Sequence, residues 1–331
     1  MVIFLGMLPA VFGCHGNTGN SDDDAASGDD TGDDSAALDD DTSDDTADDT
    51  ATDDTGADDD GDAPNQCDDL VGNLVDPEVI LVHAGTFLMG SPAGEPGHED
   101  IETQHEVTLT RDYYVMKYEV TQSLWKGVMG KMPGGQWACD VDFGVGDASW
   151  IQVVKFANAL SEALGYDQCY TVTGDTAEWD QSCNGYRLPT EAEWEFAARA
   201  GAETAFYDGQ ITNGSCDDPL LSEIAWYCGN SGYGMQLIGQ KTPNGFGIYD
   251  ILGNIWEWAW DGADNDEQIP FTADPVTDPL GPGGTAAHAY RGGGMFSTAF
   301  DCRLAKRRFG RTDMQDGDTG ARLVRTAFSS R

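Results

Sequence analysis

From Ser21 to Ala63 the chain is built almost entirely from Asp, Thr, Ala, Gly and Ser, and about 20 of these residues are Asp. Nothing in this stretch can bury enough apolar surface to offset the conformational entropy of ordering it, so it is expected to stay disordered. Like charges extend it, and about 50 such residues reach at most roughly 165 Å. The fold must therefore come after it. The whole chain of 331 residues carries a formal net charge of −42, roughly half of it here, and no Lys or Arg precedes Arg111. Such a field repels nucleic acid and anionic lipid, which excludes both as partners of first choice. No segment has the EF-hand alternation of Asp or Asn followed by Gly and a Glu, so the acidic run reads as a solvated tether.

Residues 1–13, "MVIFLGMLPAVFG", form an apolar run of signal-peptide length, too short to span a bilayer. Cys14 follows, and "VFGC" resembles the lipobox of bacterial lipoproteins, with Phe12 bulkier than usual there. The resemblance implies a lipidated N-terminus at Cys14, whose several acyl chains make anchoring stable. A clipped ordinary secretory signal is the alternative. The expected organisation is a signal peptide at 1–13, a lipidated Asp-rich tether at 14–64 and a globular domain at 65–331. Its expected location is outside the cytoplasm, lipid-anchored to a bacterial membrane, at the outer membrane or cell surface. The lipid would be its only membrane contact.

After Cys67 the composition becomes that of a folded domain rich in Trp, Tyr and Gly. "VILVHAGTFLMGS" reads as two strands around a turn at Ala84-Gly85, and "HEVTLTRDYYVMKYEVT" alternates like further strands. "VTQSLWKGVMG" turns helical. "WIQVVKFANALSEAL" places Val154, Ala157, Leu160 and Leu164 at helical spacing. In "YRLPTEAEWEFAARAG", Thr190 and Glu193 make a capping box and Gly201 a stop. Short strands separated by Gly and Pro follow, which predicts an irregular, loop-rich α+β domain.

Seven cysteines remain after Cys14. In a secreted chain they suggest disulfides. Cys169 and Cys183 bracket one short loop, Cys216 and Cys228 another, and each closure would contribute roughly 3 kcal/mol on the chain-entropy view. Cys67, Cys139 and Cys302 are left as an odd set with open pairing.

The sequence holds no H-E-x-x-H, C-x-x-C, G-x-S-x-G or Walker loop. His105, in a strand-like run, is expected to be a structural hydrogen-bonder. Four segments in order carry a specific resemblance: "GTFLMGS" with "YEVTQSLW", "YRLPTEAEWEFAARAG", "PNGFGIYDILGNIWEW", and "RGGG…CRLAKRR" with "GARLVRT". Together, over about residues 78–327, they resemble the sulfatase-modifying-factor family, whose namesake is the formylglycine-generating enzyme. The resemblance implies an irregular variant of the C-type lectin fold. It also implies oxidation of a sulfatase cysteine to formylglycine, using oxygen and a copper ion held by two cysteines.

Those two cysteines fall at Ser297 and Cys302 of this chain, and the active-site serine falls at Gly294. A hydroxyl is a hard, protonated ligand and a poor substitute for a thiolate on Cu(I). Met295 is a soft but uncharged neighbour. Copper is therefore not expected, and Cys302 reads as a structural cysteine, disulfide-bonded or buried, with a redox-sensitive thiol as the alternative. The resemblance also implies calcium, held by the Asp250 and Glu257 side chains and the Gly253 and Ile255 carbonyls, a hard-donor set that suits the ion. Trp256 and Trp258 as core aromatics, with Glu257 solvating the turn, is the competing reading. Asn230 could belong to a second calcium site. The basic run "CRLAKRRFGR" is expected to pair with internal carboxylates.

Three functions follow from these readings. One is a surface or periplasmic lipoprotein whose lectin-like domain serves, without catalysis, in structural assembly or in binding a protein or glycan. Another is a copper-dependent sulfatase-activating oxidase. The last is another oxidative enzyme on the same scaffold.

Overall fold

The computed structural model describes residues 76–134, 142–263, 271–282 and 285–328. The leader at 1–13, Cys14, the tether at 14–64, Cys67 and Cys139 lie outside them. The chain divides into two units, Met1–Asp59 and Asp60–Arg331, and all described residues belong to the second.

That unit is an α+β domain with short elements. In chain order they are β1 (Val79–Val82), β2 (Gly85–Met89), β3 (His105–Leu109), β4 (Tyr113–Met116), α1 (Gln122–Met129), α2 (Trp150–Ala163), β5 (Tyr170–Thr173) and β6 (Thr176–Trp179). Then come α3 (Glu191–Arg199), α4 (Pro219–Ile224), β7 (Trp256–Ala263), β8 (Val276–Thr277), β9 (Ala287–Arg291), β10 (Arg308–Arg311), β11 (Thr319–Gly320) and β12 (Val324–Thr326). They form a four-stranded sheet in the order β10-β9-β7-β11, two three-stranded sheets, β1-β4-β12 and β2-β3-β8, and the hairpin β5-β6. No described helix is long and apolar enough to cross a membrane.

The helices begin where the side chains can cap them. Thr190 Oγ1 accepts from the Glu193 amide at 3.1 Å and Glu193 Oε2 accepts from the Thr190 amide at 2.9 Å, closing the predicted capping box of α3. At α2 the Gln152 side chain supplies the returning half, its Oε1 accepting from the Ser149 amide at 2.9 Å and the Ser149 hydroxyl at 3.2 Å. On α2 the predicted stripe of Val154, Ala157 and Leu160 is buried against Trp150, Trp258 and Trp260, which form one apolar core. A second core gathers around Trp194, Ala197 and Ala198 of α3. All eight residues of β7 are buried, as expected of a strand flanked by two others and covered on both faces. The hairpin β5-β6 lies inside the loop closed by Cys169 and Cys183, where alternation in "YTVTGDTAEW" was the available signal.

Both bracketing disulfides, Cys169–Cys183 and Cys216–Cys228, are formed. Cys302 is a free thiol and fully buried, so the disulfide-bonded alternative for it gives way to the buried one.

Candidate functional site

The site is assembled from the turn after β9, the loop after Cys228, the loop entering β7 and the strand end before β11. Arg291 closes β9 with no solvent exposure and bonds Glu191 at 2.8 Å, Glu195 at 2.5 Å and the Leu304 carbonyl at 2.8 Å. Burial alone would raise the Glu191 and Glu195 carboxyls, but their arginine partners outweigh it and hold both below the usual range. This clamp fixes where the glycines emerge. Gly293 has φ +82, and a Cβ there would lie 2.5 Å from Cys302 Sγ. Gly294 lies under Asp318, whose Oδ2 would be 2.2 Å from a Cβ at that position. Any side chain at 293 or 294 displaces a neighbour.

The turn then folds back on itself. The Gly294 amide donates to Ser297 Oγ at 2.8 Å, and the Ser297 amide donates to the Gly294 carbonyl at 2.9 Å. Cys302, one helical turn on, donates its amide to the Thr298 carbonyl. Burial pushes its thiol well above the ordinary range, and Asp301 and Asp318 add to that. Burial also lifts Asp318 to about 6, with Asp316 contributing, while the Phe296 amide and Arg308 act in the other direction. Outside this centre, Phe296 and Tyr233 are 49% and 70% exposed and stack at 6.3 Å. Arg308 lies 5.5 Å over Trp256 and bonds Asp301 at 2.7 Å.

The loop expected to hold calcium abuts this turn. The Asn254 carbonyl accepts from the Met295 amide at 2.8 Å, so the two loops are joined directly. Asp250 and Asn254 both have positive φ, at 53° and 58°. Asp250 is 1% exposed. One of its carboxylate oxygens accepts from the Gly239 amide at 2.6 Å, and the other, Oδ1, is buried with no hydrogen-bond partner. Glu257 is spoken for: Arg322 Nε and Nη2 bond its Oε1 at 3.0 and 2.8 Å, and Trp194 Nε1 bonds its Oε2 at 2.7 Å. Glu119 is the third carboxylate here, accepting from Asn254 Nδ2 at 2.7 Å and the Ile255 amide at 3.2 Å.

Burial raises all three carboxyls, most strongly Glu119, and Asp250 and Glu257 act on Glu119 as like charges. Arg322 offsets part of that charge. Among the described residues no group of three or more His, Cys, Asp or Glu side chains converges as a metal centre. The calcium set is a different kind, two carboxylates and two carbonyls. Asp250 suits it through its unpartnered Oδ1, with Arg322 and Lys241 the cations already acting on its charge. Glu257 would have to share its carboxylate with Arg322. The copper set fits poorly, because Ser297 offers a neutral hydroxyl already bonded to the Gly294 amide, and Cys302 a thiol held protonated.

A sequence profile described as the sulfatase-modifying factor enzyme 1-like domain matches residues 71–327. The chain belongs to the sulfatase-modifying-factor family. It is 32% identical over 294 residues to a formylglycine-generating enzyme of Streptomyces coelicolor, covering 75% of this chain and 89% of the relative. It is 30% identical over 219 residues to chaperone protein LppX of Paenibacillus barcinonensis, covering 56% of this chain and 72% of that one. Among solved structures, Treponema denticola variable protein 1 superposes with a TM-score of 0.65 at 30% identity, over 75% of this chain and 95% of that protein. The domain accordingly has the family's α+β, loop-rich variant of the C-type lectin fold.

Other expected roles resolve locally. His105 Nδ1 lies 3.0 Å from the Thr103 carbonyl and its ring packs on Phe271 at 4.8 Å, a structural role. Asn230 accepts from the Tyr227 amide and donates to the Ala225 carbonyl, both at 2.9 Å, so its amide closes the turn after α4. The basic run divides: Arg303 pairs with buried Glu95 and Glu102 and Arg307 with buried Glu191, as expected, whereas Lys306 reaches half-exposed Glu99, and Arg308 and Arg311 stay exposed, paired with Asp301 and Asp313. Sequence reasoning missed Glu119, Asp318 and Arg322. Glu119 and Arg322 sit within "YEVTQSLW" and "GARLVRT", but a lone Glu or Arg there carries no sign of which buried partner it meets.

Proposed function

We propose that this member of the family is a lipid-anchored surface protein whose domain works as a binding or structural module for a protein or glycan partner, without the family's oxidase chemistry. The observation behind this reading is the remodelled turn. Gly294 and Ser297 replace the family's serine and first copper thiol, and Asp318 occupies the space above Gly294. A single protonated thiol beside a buried carboxylate supplies neither the two soft ligands nor the hydroxyl that the oxidation uses. A relative whose name is chaperone protein LppX is consistent with a non-catalytic role. The "VFGC" sequence supports the anchor, and the acidic tether would let the domain search at a distance from the membrane. Calcium, held by Asp250 with Glu257 and the Gly253 and Ile255 carbonyls, is part of the proposal as a structural ion.

A cysteine peptide of sulfatase type, incubated with the protein, copper and reductant, is expected to show no mass change to formylglycine. Ser297→Cys should raise Cu(I) affinity by restoring a second soft ligand but not turnover, because Gly294 still lacks the active-site hydroxyl. Turnover by the natural chain that disappears in Cys302→Ala would overturn the reading and make the chain an oxidase, as its likeness to the Streptomyces enzyme allows.

The anchor has its own check. Mass spectrometry of the mature protein from a bacterial host should find Cys14 as an acylated N-terminus. An unmodified Cys14, or a mature chain beginning elsewhere, would remove the anchor from the proposal.

A further inference from the structure

Three loops and the glycine turn meet around the small apolar cluster of Met235, Ile255, Met295 and Phe143. The Ile238 amide donates to the Asp142 carbonyl at 2.8 Å, and the Asp147 amide donates to the Asp316 carbonyl at 3.0 Å. Ser231 Oγ donates to the Met295 carbonyl at 2.7 Å. Segments 142–147, 230–238, 294–300 and 312–318 therefore adjoin one another. Their most exposed large apolar side chains are Tyr233, at 70%, and Phe296, at 49%, the stacked pair beside the turn.

Tyr233 is held there against its own backbone preference. Its φ is +61°, a left-handed conformation that a residue with a Cβ adopts only at a cost. With the ring mostly in solvent, burial does not offset that cost. The loop is braced instead. Ser231 Oγ accepts from the Tyr233 amide at 3.2 Å, and Gln236 Nε2 donates to the Ser231 and Gly234 carbonyls at 2.8 and 3.1 Å. Gly232 and Gly234 stand on either side, and a Cβ at either would have nothing within 4 Å. The absence of side chains there leaves the ring uncovered on both flanks. A strained, braced and exposed aromatic residue is the kind of outlier that points to a binding surface.

Charge selects the partner. The four segments contain Asp142, Asp147, Asp313, Asp316 and Asp318 and no Lys or Arg. Arg308, which lies over Trp256, is held by Asp301, and Arg311 is held by Asp313. Asp142 and Asp316 are exposed. An aromatic face is itself the negative side of a quadrupole, so the rings and the carboxylates attract the same thing, a cation. A neutral sugar gains little from that field. An anion is repelled by it and by the net charge of −42.

We propose that Tyr233 and Phe296 form the docking platform for a basic segment of a protein partner, a Lys or Arg side chain lying on the rings with Asp142 and Asp316 drawing its charge. This rests on the reading of the domain as a binding module, and it narrows the partner from a protein or glycan to a cationic protein surface.

The test is fluorescence anisotropy of a labelled glycine-serine peptide bearing two arginines, titrated with the full chain. The control is the same peptide with citrulline at both positions, which keeps the planar group and removes the charge. The arginine peptide should bind and the citrulline peptide much more weakly, and added salt should close the gap. Tyr233→Gly and Phe296→Ser should each weaken binding of the arginine peptide about threefold, the contribution of one exposed cation–π contact. Tyr233→Gly puts at this position the residue best suited to positive φ, so it should melt like the natural chain, which separates lost binding from lost fold. The acidic tether is the same in every variant, so its own attraction for arginine cancels in the comparison. No binding of the arginine peptide, equal binding of the citrulline peptide, or binding unchanged in the double variant would each overturn the proposal. So would binding of a neutral oligosaccharide, cellohexaose, that the double variant abolishes; that result would give the platform to a glycan and leave the binding-module reading standing. The binding-module reading falls separately, to formylglycine turnover in the cysteine-peptide assay.

Discussion

Arg291→Ala is expected to cost the domain about 3–5 kcal/mol, the penalty for leaving buried carboxylates without their partner. Arg291 has no exposed surface and holds Glu191, Glu195 and the Leu304 carbonyl together. Arg307 also bonds Glu191 and Arg199 also bonds Glu195, so the network would keep some compensation, which sets the lower end of the range. For a domain of this size the loss corresponds to a melting temperature lower by on the order of 10 °C. Arg291→Lys should rescue little, since one ammonium cannot reach two carboxylates and a carbonyl in the fork geometry of a guanidinium. Thermal melts of the three proteins decide it. A shift of Arg291→Ala within about 1 kcal/mol would mean that Arg199 and Arg307 suffice, and that the arginine of "RGGG" is retained for something other than stability.

This role explains why the "RGGG" segment was conspicuous in the sequence while its chemistry was not. An arginine before three glycines marks a buried charge followed by a backbone course that admits no side chains. Both features survive here, with Gly293 against Cys302 and Gly294 under Asp318. The positions where the resemblance places the motif's serine and first copper thiol carry Gly294 and Ser297. Local signals such as the Thr190–Glu193 capping box and the apolar stripe of α2 were legible because their partners lie within one helical turn. The basic run was legible for a different reason, since a cation in a strongly acidic chain finds a carboxylate almost wherever it folds. What could not be read were partners set by long-range topology. Glu119 meets Asn254 across 135 residues, and Arg322 meets Glu257 across 65.

Adding calcium is expected to raise the melting temperature of the domain, and chelation to lower it, because an ion that binds only the folded state stabilises it by mass action. At a free concentration 100 times the dissociation constant the gain is about 2.7 kcal/mol. Asp250→Ala should abolish the difference, since it removes the carboxylate whose Oδ1 is buried without a partner. Glu257→Gln tests the other half. Because Glu257 is already bonded to Arg322 and Trp194, its loss should destabilise the domain with or without calcium.

The pH dependence gives the sign independently. Burial raises the Asp250 and Glu119 carboxyls above their unfolded values, so without the ion their stabilising contribution is fully present only in acid. That contribution is lost as pH rises from the unfolded value through the raised folded one. A bound divalent ion favours the ionised carboxylates and should flatten or reverse that slope. Chelated protein should therefore lose stability between mildly acidic and neutral pH, and calcium-loaded protein should not. Identical melting of the two forms at both pH values would mean that this loop is held by Glu119, Asn254 and Arg322 alone, with no ion.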